Sequence, residues 1–173
     1  MKLNIGCGRT YIEGWTNIDL VVSPRALKPP DLLCDIRRIK LPDACAEIAQ
    51  AIHVFEHFYR YECDAVIDEW RRLLKRGGQL ILEMPDLHKC CRNVLNGVVN
   101  HRNGNADQLG MWGLYGEVTS EDTILMAHHW LWTFKSIQPF LATHGFEDIR
   151  EEETCFHLSG KGVRDFRVVA TKA

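Results

Sequence analysis

The stretch LNIGCG, residues 3–8, decides the fold: an apolar run leads into a glycine turn, and a second short run then ends at Asp19. In order, this is a strand, a turn, a strand and an acid. Gly6 and Gly8 permit positive φ and bring backbone N–H groups close to an anionic ligand, while a carboxylate after the next strand accepts hydrogen bonds from ribose hydroxyls. The layout predicts a nucleotide-type cofactor pocket, and therefore an enzyme.

Two other glycine motifs do not fit this turn. A dinucleotide fingerprint needs Gly-x-Gly-x-x-Gly, but Tyr11 stands where the third glycine belongs. Asp19 also follows Gly6 too closely, because the acid is expected about 20 residues on. A P-loop needs Gly-Lys-Ser/Thr after the turn, and that sequence is absent here. NAD is therefore disfavoured, and no nucleoside triphosphate is indicated.

Length and composition predict one domain over residues 1–173, because 173 residues with 46% hydrophobic content build one core and little more. A net charge of -2 gives no electrostatic footprint for general nucleic-acid or anionic-membrane binding. No apolar stretch approaches the roughly 20 residues that cross a bilayer, and no signal peptide is recognised. The seven cysteines lack a Cys-x-x-Cys pair, which favours reduced thiols. We therefore expect a cytoplasmic protein that binds no membrane.

Strand-like runs alternate with other segments through the first half of the chain, which predicts a parallel sheet with crossovers. Helical spacing of apolar residues between Glu62 and Arg76 predicts a helix, which the pair Gly77-Gly78 should stop. The five predicted strands are Lys2–Ile5, Thr16–Leu20, Leu32–Cys34, Glu47–Ile52 and Gln79–Met84.

The second half loses this pattern over about 98–132, a stretch rich in Gly, Asn, His and aromatic residues that we interpret as a lid or acceptor loop. A helix capped by Thr133 or Ser136 follows, and Pro139 should make it start near Ser136 or bend. An antiparallel pair of strands then closes the sheet edge, with runs at 146–150 and 166–171 joined by a turn at 159–162.

In this order the motifs resemble those of class I S-adenosylmethionine-dependent methyltransferases, and the resemblance extends over nearly the whole chain. It implies an α/β, Rossmann-like methyltransferase sheet, mostly parallel with an antiparallel C-terminal strand and with helices on both faces. The motifs that carry it are LNIGCG at 3–8, Asp19, Asp35-Ile36, LPD at 41–43 with VFEH at 54–57, LLKRGG at 73–78, Pro85-Asp86 and Gly145-Phe146.

The resemblance also assigns the cofactor, S-adenosyl-L-methionine, and the residues that bind it. The glycine turn corresponds to the part that holds the methionine end, Asp19 to the acid that binds the ribose, and Asp35 with its apolar neighbour to the border of adenine. The full predicted cofactor set is Gly6, Cys7, Gly8, Asp19, Leu20, Asp35, Ile36 and His53.

The match is closest to a compact subgroup in which little chain separates the glycine turn from the acid. Gly14-Trp15 and Asn17-Ile18-Asp19 carry that likeness. The short follow-on leaves one side of the cofactor pocket open. We expect either the 98–132 loop or a second subunit, in a homodimer, to cover it.

Methyl transfer from a sulfonium is an in-line displacement, so most of the rate comes from alignment of the acceptor with the methyl group. A hydroxyl or ammonium acceptor must still lose a proton, and histidine suits that task. His53 and His57 follow the fourth strand at the ligand-binding end of the sheet and are the predicted catalytic residues. An equal alternative is that Glu56-His57 is structural, with Glu56 fixing an imidazole tautomer.

A metal site is not predicted. His128 and His129 could serve as zinc ligands with His88 or a cysteine, but no ligand spacing supports a closed site.

The predicted function is S-adenosylmethionine-dependent methyl transfer to oxygen or nitrogen of a small-molecule acceptor, a metabolite or sugar. No Asn/Asp-Pro-Pro-aromatic sequence follows the fourth strand, which disfavours enzymes that methylate exocyclic or side-chain amide nitrogens. The alternative is a non-catalytic module of the same fold that binds S-adenosylmethionine or serves in assembly.

Overall fold

Seven strands form one sheet in the part of the chain that the computed structural model describes, which is residues 1–98, 108–156 and 163–173. The spatial order is β3-β2-β1-β4-β5-β7-β6. Strands β1 to β5 run parallel, whereas β7 is antiparallel to both β5 and β6. This confirms the predicted sheet. The strands are β1 (Lys2–Ile5), β2 (Thr16–Asp19), β3 (Leu32–Leu33), β4 (Ala46–Ile52), β5 (Leu74–Pro85), β6 (Phe146–Glu152) and β7 (Asp165–Lys172).

The described helices all follow β4 in the chain. Within residues 1–98, no helix joins β1 to β2, β2 to β3 or β3 to β4, so these crossovers are loops. The longest helix has 14 residues, and none in the described part is long and apolar enough to span a membrane. The helices are α1 (Arg60–Leu73), α2 (Leu87–Leu95), α3 (Gln108–Tyr115) and α4 (Phe134–Thr143), with 3-10 turns at Phe55–His57 and Glu121–Met126.

One face of the sheet carries the main apolar core. Trp70 of α1 and Phe140 of α4 join Leu3 of β1 and Leu80 of β5 in one buried cluster. Trp70 is fully buried, and its indole N–H donates to the carbonyl of Ile36 at 2.9 Å, so the connection that leads to β4 is fixed to α1. This satisfied polar end is what permits a buried tryptophan at the centre of the core.

The opposite face has a different cover. Because side chains alternate along a strand, Gln50 of β4 and Ile81 of β5 point away from the main core, and both are half-buried. Near the carboxyl end of β5 the loop after β6 crosses this face. Its backbone N–H groups at Cys155 and Phe156 donate to the buried carboxylate of Glu83 at 3.0 and 2.9 Å. The two helices that contribute to the main core, α1 and α4, therefore lie on one face, and a loop contributes to the cover of the other face.

Two predicted boundaries need correction. The helix α1 ends at Leu73 and β5 begins at Leu74, so the glycine pair at 77–78 lies inside a strand and does not stop the helix. Leu74 already pairs with Ala46 of β4, and this sheet contact overrides the local glycine signal. For α4 the prediction is a start near Ser136 or a bend; α4 begins at Phe134, two residues earlier, and includes Pro139.

The predicted cap of α4 is confirmed. The hydroxyl of Thr133 accepts a hydrogen bond from the N–H of Ser136 at 3.2 Å, and the hydroxyl of Ser136 accepts from the N–H of Thr133 at 2.9 Å. This reciprocal pair satisfies backbone donors that a helix start leaves without partners.

The predicted 98–132 loop is partly ordered secondary structure. Residues 99–107 lie outside the described part of the chain, as does the turn predicted at 159–162. The remainder contains α3, which packs on α2: a side chain added at Gly113 would overlap the sulfur of Cys90. Tyr115, Ile124 and Leu125 expose more than 60% of their surface, so this segment presents apolar groups outward.

Candidate active site

The glycine turn at the end of β1 is closed by the acid at the end of β2. Gly6 and Gly8 have φ values of 66° and 53°. The Asp19 carboxylate accepts the N–H of Gly8 at 2.6 Å with one oxygen and the N–H of Leu20 at 2.7 Å with the other. Charge-assisted bonds of this length order both the turn and the chain after β2. Asp19 therefore links the two predicted parts of the cofactor pocket.

A buried amide network orders the connection between β1 and β2, which contains no helix. Asn4 donates from its side chain to the carbonyl of Thr10 at 2.8 Å and to the amide oxygen of Asn17 at 2.9 Å. Asn17 in turn accepts from the N–H of Ile12 at 2.9 Å and donates to the carboxylate of Asp31 at 3.1 Å. The side-chain amides of Asn4 and Asn17 thus have partners for both their oxygen and their nitrogen, which holds the short β1–β2 connection in place.

The predicted adenine border lies after β3. The Asp35 carboxylate is paired with the guanidinium of Arg37 at 2.8 Å, and Arg37 also reaches Glu62 of α1 at 2.9 Å. The Arg37 hydrogen bonds lower the pKa of Asp35. Ile36 is half-buried against the main core, whereas Leu20 is 49% exposed. The predicted cofactor residues thus include both ordered and solvent-facing groups.

The turn after β4 brings His53 beside the glycine turn. His53 has a φ of 54°, a region that costs a non-glycine residue on the order of 1–3 kcal/mol. Its N–H donates to the carbonyl of Glu83 at 2.7 Å, which continues the β4–β5 ladder past the strand end. The next residue, Val54, packs so closely on Gly6 that a side chain there would overlap it. The histidine turn and the cofactor turn are therefore one packed unit.

The imidazole of His53 lies between two carboxylates. Its Nδ1 is 3.1 Å from Glu56 Oε1, and its Nε2 is 3.6 Å from Asp165 Oδ2. Burial disfavours the charged imidazole, but the hydrogen bond and charge of Glu56, together with Asp165, outweigh it and raise the pKa of His53. Glu56 is fully buried; its burial is outweighed by His53 and two further histidines, so the pKa of Glu56 is lowered. This charge arrangement suits proton transfer.

Phe55 fixes the position of the turn that carries these groups. Its ring is fully buried, with centroids 5.7 Å from Trp70 and 5.8 Å from Trp132. Because neighbouring residues of a tight turn point in different directions, the anchoring of Phe55 aims Glu56 and His57 toward the segment 127–130.

That segment completes the site from far along the chain. His57 Nδ1 lies 2.9 Å from the carbonyl of Ala127, and His128 Nδ1 lies 2.8 Å from the carbonyl of Gly113. The N–H groups of His129 and Trp130 donate to the carbonyl of Glu56 at 2.8 and 3.3 Å. The predicted lid is therefore tied to the turn that follows β4.

Sequence reasoning missed several residues of this site. Asp165 and its bidentate partner Arg164 lie at the start of β7, where the Arg164 guanidinium reaches the carboxylate at 2.6 and 3.0 Å. Asp165 is 2% exposed. No motif marks this pair in the sequence, because its meaning depends on β7 lying beside β5. The sequence offers His128 only as a possible zinc ligand with His129 and His88 or a cysteine, and nothing in the spacing indicates contact with Glu56.

Comparison with known proteins bears on this geometry. Residues 3–82, which include the glycine turn, Asp19, Asp35 and the turn after β4, match the family described as "Methyltransferase domain". The matched segment is that of a class I S-adenosylmethionine-dependent methyltransferase. Its cofactor is S-adenosyl-L-methionine, and the prediction of an enzyme is confirmed. No curated protein matches the sequence.

Solved structures share the fold of this methyltransferase at low sequence identity. A SAM-dependent methyltransferase from Methanosarcina mazei is 18% identical, with a TM-score of 0.62, 98% of this chain and 91% of that chain covered. A SAM-dependent methyltransferase of Thermotoga maritima, a possible histamine N-methyltransferase, is 14% identical, with a TM-score of 0.65 and coverage of 99% and 81%. The Burkholderia thailandensis 1,6-didemethyltoxoflavin-N1-methyltransferase is 13% identical, with a TM-score of 0.63 and coverage of 99% and 70%.

Proposed function

We propose that this methyltransferase transfers the methyl group to oxygen or nitrogen of a small-molecule acceptor that binds at the carboxyl ends of β4 and β5. The observation that carries the proposal is the His53–Glu56 pair, which lies at the end of β4 and packs through Val54 on the glycine turn. Two structural relatives have names that specify small nitrogen acceptors. The net charge of -2 offers no attraction for a polyanionic acceptor.

The chemistry assigned to this chain's residues is limited to binding and proton transfer. Glu56 hydrogen-bonds Nδ1 of His53, and we assign Nε2, on the other side of the ring, to take the proton of the acceptor. The acceptor oxygen or nitrogen attacks the methyl carbon, and the electron pair of the broken carbon–sulfur bond stays on sulfur. Asp165 stabilises the imidazolium that forms. The predicted single domain over residues 1–173 and its lid at 98–132 remain part of this proposal.

A glycine pair tests the cofactor pocket. Gly8 and Gly14 both have positive φ, 53° and 78°, and an added Cβ at either position meets no atom within 4 Å. Alanine at either position should therefore destabilise the fold by about 1–2 kcal/mol, the penalty of the left-handed region. We expect Gly8→Ala to lose at least about tenfold in affinity for S-adenosylhomocysteine by calorimetry, because the cofactor approaches that backbone. Gly14→Ala is the matched control and should bind normally. Equal binding by the two variants would contradict the assigned pocket.

Two histidine variants, His53→Gln and His144→Gln, test whether His53 is the general base. At saturating cofactor, His53→Gln should lower methyl transfer by about 10²- to 10⁴-fold, the usual contribution of general base catalysis. The control is His144→Gln, because His144 bonds Asp68 and Asp64 on α1, away from the turn after β4. Transfer is measured with radiolabelled cofactor and a panel of small alcohols and amines. Incorporation into none of them by the unmodified protein would refute the acceptor class.

A further inference from the structure

Glu56, His57 and His128 form a compact group of potential metal ligands, called here the His–Glu cluster. One carboxylate oxygen and one ring nitrogen from each histidine lie within 4.8 Å of one another. The two imidazole rings meet edge to face, with centroids 4.9 Å apart. Two consecutive residues and one from a segment far along the chain thus converge on one point.

In both histidines of the cluster, the hydrogen bond is made by Nδ1, which leaves Nε2 available to bind a metal ion. A carbonyl accepts only from a protonated nitrogen, so Nδ1 of His57 donates to Ala127 and Nδ1 of His128 donates to Gly113. In a neutral imidazole the other nitrogen, Nε2, then carries the lone pair. The His128 Nε2 lies 3.9 Å from Glu56 Oε1. Metal-bound histidines in proteins have this arrangement, with the second nitrogen donating to a backbone carbonyl or a carboxylate.

The carboxylate of Glu56 is an independent observation that points to a ligand. Glu56 is 0% exposed, and its Oε1 serves His53 at 3.1 Å. Its Oε2 is buried and has no hydrogen-bond partner among the residues that the structure describes. A buried anionic oxygen without a partner is costly, and a cation bound there removes the cost.

We propose that the His–Glu cluster binds a divalent first-row transition-metal ion, with Zn²⁺ as the representative case. Two imidazole nitrogens and one carboxylate oxygen match catalytic zinc sites and related non-haem iron sites, whereas Mg²⁺ and Ca²⁺ prefer all-oxygen ligand sets. Ligand bonds of about 2.1 Å in a tetrahedron put ligand atoms about 3.4 Å apart. Ligand atoms that now lie up to 4.8 Å apart would therefore have to move about 1.4 Å closer together when the ion binds.

The role of the ion rests on the proposed function. Three protein ligands leave a coordination position open, as in catalytic zinc sites. Glu56 also contacts His53, so an acceptor hydroxyl in that position would lie beside the proposed base. The ion would lower the pKa of such a hydroxyl. Its proton would pass to His53, its oxygen would bond to the methyl carbon, and the carbon–sulfur electron pair would remain on sulfur.

Metal binding is tested without cofactor or acceptor, so its failure is distinct from failure of the proposed function. The full chain is stripped with a chelator and titrated with Co²⁺, with detection by calorimetry and visible absorption. We expect one Co²⁺ per chain with nitrogen and oxygen ligands. His57→Ala and His128→Ala should each lower the affinity by at least about 100-fold, since even outer-shell changes cost 10–100-fold. Competition with Zn²⁺ should displace the cobalt spectrum.

His129→Ala is the matched control. His129 directly follows His128, but its ring stacks on Tyr59 with centroids 3.9 Å apart and is not one of the cluster ligands. This variant should bind Co²⁺ as the unmodified protein does. If a ligand variant fails to fold, the metal site is tested through the thermal stability of the unmodified protein. Zn²⁺ at a concentration of 100 times its Kd should raise the thermal midpoint of unfolding by roughly 5–10 °C.

Three results would overturn the proposal. The first is that about 0.1 mM Co²⁺ gives no stoichiometric binding. The second is a cobalt–thiolate charge-transfer band, which would place the ion on cysteines. The third is that His57→Ala and His128→Ala bind Co²⁺ with the same affinity as the control. If Co²⁺ binds as expected but no methyl transfer is detected, the result supports the metal site and counts against the proposed function alone.

Discussion

Replacement of Gly6 by alanine should destabilise the fold through two separate terms. The φ of 66° places the residue in the left-handed region, which costs about 1–2 kcal/mol for a residue with a Cβ. The added Cβ would also overlap Val54 Cγ2 and lie 3.0 Å from its Cγ1. Val54 is 6% exposed and part of the main core, so it cannot move into solvent, and overpacking of this kind costs about 1–3 kcal/mol. The sum is about 2–5 kcal/mol.

A double-mutant cycle separates these terms. Val54→Ala removes both methyl groups that the new Cβ would meet, so the pair Gly6→Ala/Val54→Ala should be more stable than the two single losses predict, by about 1–3 kcal/mol. Gly14→Ala supplies the conformational term alone, because it shares the positive φ and meets nothing within 4 Å.

Urea unfolding followed by fluorescence gives the free energies of unfolding, provided the m-values of the variants agree. In thermal melts each 1 kcal/mol should correspond to a shift of about 2–4 °C. The reasoning fails if Gly6→Ala costs no more than Gly14→Ala, or if the effects of Gly6→Ala and Val54→Ala simply add.

Three further predictions concern the cofactor turn and the loop before β4. Asp19→Asn should weaken S-adenosylhomocysteine binding at least about tenfold by calorimetry, because an amide accepts with only one of the two groups that now hold Gly8 and Leu20. Arg72→Met should lower the free energy of unfolding in urea by about 2–4 kcal/mol, since it removes hydrogen bonds to two carboxylates and two carbonyls and leaves Glu69 uncompensated. The Arg72 hydrogen bonds lower the pKa of Glu69. Ionised Glu69 therefore adds to the free energy of unfolding in full above its unfolded pKa of about 4.3, and this stabilisation is lost as pH falls. Glu69→Gln should make the free energy of unfolding fall less steeply at acid pH, and an unchanged slope would contradict this.

The elements that the sequence predicted well are those with a local cause. The strand Lys2–Ile5 is observed with the predicted bounds, and Thr133 caps α4 as predicted. Glycine turns, caps and apolar alternation act over a few residues, so they are readable without the fold. The helix end predicted at 77–78 is wrong because β5 already pairs with β4 at Leu74, before the glycine pair is reached. No local pattern in the sequence reveals this pairing.

The sequence by itself determined the glycine turn after β1, the acid that closes it, the order of the strands along the chain and the histidines after β4. Only the tertiary structure brought Asp165 to His53 and His128 to Glu56. One physical reason is that β7 lies beside β5 in the sheet. The other is that the segment 127–132 folds back to the carboxyl end of β5, where the N–H of Leu87 donates to the carbonyl of Trp132 at 2.9 Å. Contacts between residues so far apart in the chain depend on how strand ends and loops pack, whereas the motifs predicted to hold the cofactor depend on backbone conformation within one turn.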